Sequence, residues 1–202
     1  MLQQTNKNKW LIRRIWIITS VLALMLVLPI ISMGISFTTS DFNKRESANI
    51  APIPSENKGA VLQVYAADAY GWRGIFAVHT WIAIKPVGAE TYTTYQVFGW
   101  NQRSGRPVLV VREDTPDRFW FGSKPKLLAD YRDELALQLI PKVEQAVNSY
   151  PFPEDYTLWP GPNSNSFTAW VGLEVPDLEL KLPFSAIGKD WMQRNYSNYK
   201  PS

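Results

Sequence analysis

Gly74-Ile75-Phe76-Ala77-Val78-His79-Thr80-Trp81-Ile82-Ala83-Ile84 is the stretch that decides the fold class of this chain. It is apolar almost throughout and rich in β-branched and aromatic residues, which suits a strand. Strand parity sets His79 on one face with Ala77, Trp81 and Ala83, and Phe76, Val78, Thr80 and Ile82 on the other. Working outward, three further strand signals accompany it: residues 60–66, 91–100 and 107–112. Residues 85–90 and 101–106, with their Gly, Pro, Asn and Ser, read as the turns between them, so the four runs predict an antiparallel meander. The period then changes. From Pro125 to Ser149 the apolar residues recur mostly every three or four positions, the pattern of an amphipathic helix. Pro125 near its start is well placed, and Pro141 is expected to break it in two. After Trp159-Pro160-Gly161-Pro162, residues 163–171 predict a short helix with Asn163 or Ser164 as its cap. The fold class is α+β: a small antiparallel sheet with packed helices.

The N-terminus points to a bilayer. Ile15 to Ser36 holds no charged residue, and its 22 residues can cross a hydrocarbon core of ~30 Å. Lys7, Lys9, Arg13 and Arg14 precede it, and no acidic residue occurs before Asp41. The positive-inside rule then assigns residues 1–14 to the cytoplasm and everything after the span to the far side. A cleaved signal peptide shares the basic start, but no A-x-A-like site follows and the apolar run exceeds an ordinary h-region. Residues 37–58 read as a polar linker, 59–191 as the soluble domain, and 192–202 as a polar tail. The formal charge of +3 belongs to the anchor: beyond Ser36 the chain carries 17 Lys/Arg against 18 Asp/Glu. Nucleic-acid binding therefore has no support, and the later basic residues read as an ordinary solvated surface. With no cysteine and one histidine, neither a thiolate metal site nor a zinc centre is expected, and no cofactor is implied.

Two segments can carry chemistry. His79 lies on the strand with small neighbours, Ala77 and Ala83, that leave room beside its imidazole; a core histidine bonded to the backbone is the plain alternative. Ser164 lies between Asn163 and Asn165 at an expected helix start, where unpaired N–H groups and the positive dipole end stabilise an oxyanion. A serine still needs an adjacent base to become nucleophilic, and a capping cluster is the plain alternative here. His79 and Ser164 are thus the candidate catalytic pair, with Asn163, Asn165, Arg73, Trp81 and Trp159 as candidate binding residues. Thr94 or Gln96, on the following strand, can orient the imidazole. Trp100, Trp120, Phe121, Trp159 and Trp170 can line a carbohydrate-like or acyl cleft, or simply fill the core. Glu113, Asp114 and Asp117 read as a solvated acidic loop, and Lys189-Asp190 as a local ion pair.

Phe76-Ala77-Val78-His79-Thr80-Trp81-Ile82 and Asn163-Ser164-Asn165-Ser166-Phe167 resemble, in type and order, the histidine strand and nucleophile helix of circularly permuted NlpC/P60 proteins, a papain-like group. Ser164 stands where that group has its cysteine. A broader resemblance covers most of the soluble chain. Gly71-Trp72-Arg73-Gly74, His79-Thr80-Trp81, Trp120-Phe121-Gly122, residues 159–165 and Ala186-Ile187-Gly188-Lys189-Asp190 are similar to bacterial domain-of-unknown-function family 3750. That resemblance supports the bacterial envelope compartment; with the N-terminal reading, the protein is expected to be single-pass in the inner membrane, N-terminus cytoplasmic, domain periplasmic. Its expected partners are the lipid bilayer, through the N-terminal helix, and an envelope peptide, glycan or lipid. The function expected is a non-catalytic or degenerate papain-like binding module, with a Ser-His hydrolase or acyltransferase as the alternative.

Overall fold

The computed structural model describes residues 10, 12–25 and 45–199. Two units are described separately, residues 1–42 and 43–202. In the first, residues 12–25 are helical and their side chains are exposed. Among the described residues no helix is long and apolar enough to cross a membrane. The second half of the expected span, residues 26–36, lies outside the described residues, as do residues 37–44 of the linker.

The second unit is α+β. Its strands are β1 (Val61–Asp68), β2 (Val78–Lys85), β3 (Thr93–Val97), β4 (Leu109–Glu113) and β5 (Lys126–Arg132). They form one sheet in the order β4-β3-β2-β1-β5, and every pairing is antiparallel. The first four make the expected meander. The fifth corrects the sequence reading: residues 126–132 do not open the helix but return to pair with β1. The cause of the misreading is local. The register slips between Val64 and Tyr65, so Val64 faces Ala129 while Tyr65 faces Leu127. Leu128 is the extra residue of a bulge, and a bulge breaks the period-two alternation that marks a strand.

Helix α1 (Asp133–Asn148) follows directly, then α2 (Ser164–Glu174) and α3 (Lys189–Asn195). Pro141 lies inside α1 without ending it. It sits on the exposed side, and Leu137, four residues earlier, is exposed too. A carbonyl deprived of its intrahelical donor there can be taken by water, which softens the usual penalty.

Both faces of the central strands are covered. On one, Leu62, Val64, Ile82, Ile84, Tyr95 and Val97 meet α1 and α2 through Leu139, Val143, Phe167 and Trp170. Trp170 Nε1 donates to the Ala146 carbonyl (2.8 Å), tying α2 to α1. Met192 of α3 is fully buried in the same core, so the tail expected from residue 192 begins inside the fold. On the other face Val61, Tyr65, Ala67, Trp81 and Ala83 form a second core, closed by Ile50, Ala51, Trp120 and Leu127. Part of the expected linker is therefore structural. Asp117, only 1% exposed, holds it in place. Its carboxylate accepts from Ser47 Oγ (2.8 Å) and from the backbone N–H groups of Ile50 and Ala51 (3.0 Å for the latter). This corrects the reading of Asp117 as a solvated loop residue.

Asp117→Ala is expected to cost about 2–3 kcal/mol, because it strips a charged acceptor from two amides and a hydroxyl. The measurement is the urea midpoint at unchanged m-value, with faster proteolytic nicking between residues 45 and 53 as the local signature.

Candidate functional site

His79 lies near the start of β2, the middle strand of the sheet, and is 7% exposed. Its ring packs flat on Trp120, with centroids 3.9 Å apart and planes within 9°. Trp81 and Phe98 stack nearby at 5.7 and 6.3 Å. Nε2 lies 3.5 Å from Gln96 Oε1. That oxygen only accepts, so the contact favours the tautomer with the proton on Nε2. Gln96 Nε2 in turn reaches Thr94 Oγ1 (3.4 Å), whose hydroxyl reaches the Arg112 carbonyl (3.3 Å). Burial pushes the imidazole pKa down to about 3, opposed only by the Gln96 contact. The ring is neutral at physiological pH, and an acceptor so far below 7 is a weak general base.

Ser164 opens α2, 6% exposed. Asn163 is the cap: its Oδ1 accepts from the N–H groups of Asn165 (3.0 Å) and Ser166 (3.2 Å). Asn165 is a clamp. Its Nδ2 donates to the carbonyls of Val78 (3.0 Å) and Ile187 (2.9 Å), and its Oδ1 lies 2.9 Å from Thr80 Oγ1. The Ser164 carbonyl accepts from Thr168 Oγ1 (3.1 Å) and Thr80 Oγ1 (3.3 Å). Gly188 completes the arrangement at φ +107, and a Cβ there would sit 2.4 Å from Asn163 Nδ2. Only glycine fits that approach.

Thr80 and His79 are adjacent, so they leave β2 on opposite faces. Thr80 meets α2; His79 points into the second core with Trp81 and Trp120. The structure accordingly does not bring the sequence-designated pair together, and no hydrogen bond joins them among the described residues. Gln96, one of the two expected orienting residues, does contact the imidazole. Trp81 is a core residue, stacked on Tyr65 at 5.5 Å with Nε1 donating to the Pro116 carbonyl (2.7 Å). Arg73 sits half-buried in the helical turn Gly71–Ile75 before β2, and Trp72 packs on Phe76 beside it. Trp159 is 74% exposed and joins none of these clusters.

The face that holds His79 also holds a cavity of about 420 Å³ beyond Trp120. Arg45, Arg106, Arg112 and Arg118 all line it. Phe98, Trp100 and Trp120 form a stacked wall, Phe98 and Trp100 with centroids 4.7 Å apart at 13°. Asp114 pairs with both Arg112 (2.7 Å) and Arg118. Burial holds the Arg118 guanidinium below its ordinary range; Asp114 opposes this, while Arg112 and Arg45 add to it. The indole Nε1 of Trp120 is buried and has no hydrogen-bond partner among the described residues. The sequence reading named Trp100, Trp120 and Phe121 and took the basic residues for a scattered, solvated surface; Arg45, Arg106 and Arg112 are exposed, but the fold gathers them with the half-buried Arg118 around one cavity. The available signal was Val110–Arg112 on an alternating strand followed by Arg118-Phe119-Trp120-Phe121. It went unused because nothing in the chain order brings Arg45 or Arg106 to them. Among the described residues no group of His, Asp and Glu is placed to hold a metal.

Residues 59–191, from the approach to β1 to the first turn of α3, match the family described as protein of unknown function, DUF3750. The chain belongs to that family. No curated protein and no solved structure matches it. The likeness to permuted NlpC/P60 proteins therefore rests on the order of two short segments alone. In this DUF3750 domain those segments are built as a strand–helix clamp.

His79 is the chain's only histidine, so its ring signals are unambiguous. They are expected to stay at neutral-imidazole positions from pH 8 to pH 5 in a proton NMR titration. The linked stability follows in sign. Unfolded, the ring binds a proton below about 6.5; folded, it resists until about 3. Its contribution is whole above pH 6.5 and falls by about 1.4 kcal/mol per unit as pH drops through that window. The difference in unfolding free energy between wild type and His79→Gln, followed against pH, isolates it.

Proposed function

We propose that this protein is a non-catalytic binding module of the bacterial envelope, held at the outer side of the inner membrane by the apolar segment 15–36. The observation that carries the non-catalytic reading is the state of His79: neutral, bonded to Gln96, covered by Trp120 and on the opposite face of β2 from Thr80, where α2 and Ser164 pack. A Ser-His hydrolase needs its base within ~2.6–3.2 Å of the hydroxyl it deprotonates. A helix N-terminus can stabilise an oxyanion, but it does not supply that base. Binding needs only a shaped site on a rigid support, and the cavity beside Trp120 supplies one. The bilayer is the partner of residues 15–36, and an envelope peptide, glycan or lipid component is the partner of the domain.

A fluorophosphonate probe should leave wild type and Ser164→Ala equally unlabelled; labelling confined to the wild type would mean that Ser164 is an activated nucleophile and reinstate the hydrolase. The anchor has its own readout. The full chain should stay with the membrane pellet through an alkaline carbonate wash, and recovery in the supernatant, or a mature N-terminus beyond Ser36, would remove the tether.

A further inference from the structure

The cavity beside Trp120 has an uneven charge. Arg112 and Arg118 both lean on the single carboxylate of Asp114, and Arg45 stands close enough to Arg118 to repel it. Arg106 turns its Nε to Ser104 Oγ (3.0 Å), a neutral partner. Four guanidinium groups therefore share one anion among the groups named. A planar guanidinium fork matches a carboxylate or phosphate; Arg118 is the half-buried member of the set, and Arg45, Arg106 and Arg112 reach the cavity from exposed positions. Beside this cationic rim runs a flat apolar wall. Phe98 and Trp120 lie 5.8 Å apart at 14°, Trp100 and Trp120 5.9 Å apart at 23°. Trp100 is 47% exposed, so its ring remains open to a ligand. The guanidinium of Arg112 lies 5.7 Å over the Phe98 ring, joining rim to wall. The buried N–H of Trp120, in the same wall, has no acceptor among the described residues. About 420 Å³ falls within the range of small-ligand pockets and is too little for a folded partner.

Resting on the binding-module reading, we propose that this cavity binds a sugar-sized ring carrying a phosphate or carboxylate, the anion held by Arg45, Arg106, Arg112 and Arg118 and the ring laid against Trp100 and Trp120. Aromatic walls present an apolar face to a ring of C–H groups, and the arginines select for charge. The occupant discriminated against is the neutral sugar, which leaves the excess positive charge uncompensated. Phosphosugars and uronic acids share the required chemistry, and direct comparison separates them.

The test is isothermal titration calorimetry on the intact protein at low ionic strength. The probes are glucose 1-phosphate, N-acetylglucosamine 1-phosphate, glucuronate, glucose and inorganic phosphate. At least one anionic sugar should bind one to one, at least tenfold tighter than both glucose and inorganic phosphate, and lose affinity as salt rises. The double variant Arg45→Gln/Arg106→Gln avoids the Asp114 pairs, so it should fold normally and weaken that binding at least tenfold. Trp100→Ala should do the same while still unfolding in one cooperative step at unchanged m-value. If the phosphosugars bind and glucuronate does not, the anion is a phosphate; the reverse result makes it a carboxylate. No saturable binding by any anionic sugar overturns the proposal, and so does binding that survives the arginine variant. Equal binding of glucose, sensitive to Trp100→Ala, overturns the anionic specificity while leaving a binding module in place. Ser164-dependent labelling by the fluorophosphonate, by contrast, defeats the parent reading.

Discussion

The rest of the structure depends on β2 being buried from both sides. Residues 79–85 are all buried, so each alternate side chain must satisfy a different environment. An antiparallel sheet commonly leaves one face to water, but this one does not. Thr80, Ile82 and Ile84 serve the helical layer. His79, Trp81 and Ala83 serve the layer built from residues 47–53 and 114–123. Even Lys85 is fully buried, its ammonium donating to the Gly59 carbonyl. Two layers on one strand separate groups that are adjacent in sequence, and that separation sets what the domain can do.

On the helical side most of the polar side chains are used up in construction. Asn163, Asn165, Ser166 and Thr168 cap α2, hold β2 and bind the loop before α3, with the Ser166 hydroxyl donating to the Gly188 carbonyl (2.9 Å). Buried polar groups without partners cost ~1–3 kcal/mol each, so a cluster so fully paired is a source of rigidity. On the other side, aromatic rings replace hydrogen bonds as the packing unit. Tyr65, Trp81, His79, Trp120, Phe98 and Trp100 run from the core to the cavity by successive ring contacts. A stack of this kind fixes ring orientation at little conformational cost, so the cavity wall inherits its rigidity from the second core.

The outer layer on that face is not regular secondary structure, which makes Asp117 and Trp81 its fasteners. Asp117 gathers the amides of Ile50 and Ala51, and Trp81 Nε1 takes the carbonyl of Pro116 next door. Residues 45–53 and 114–121 thus dock as one sheet-covering flap. It carries Arg45, Arg118 and Trp120 to Arg112 of β4 and Arg106 of the preceding turn.

How much was legible follows from the range of the interactions. By itself the sequence determined the meander, because alternation on 78–85 and on the neighbouring runs is a local property of side-chain order. It determined the cap at Asn163, because capping is decided within three residues, and it marked His79 as a strand residue bound for the interior. It could not reveal β5, since a bulge opposite Val64 erased the alternation at Leu127 and Leu128. Nor could it reveal that α1 continues through Pro141, which depends on which side of that helix meets water. Only the tertiary structure decided that His79 and Ser164 belong to opposite layers, and that Arg45, Arg106, Arg112 and Arg118 share one cavity. Strand parity is written in the chain, but which layer packs on which face is settled by contacts between residues some eighty positions apart, and no local pattern encodes those.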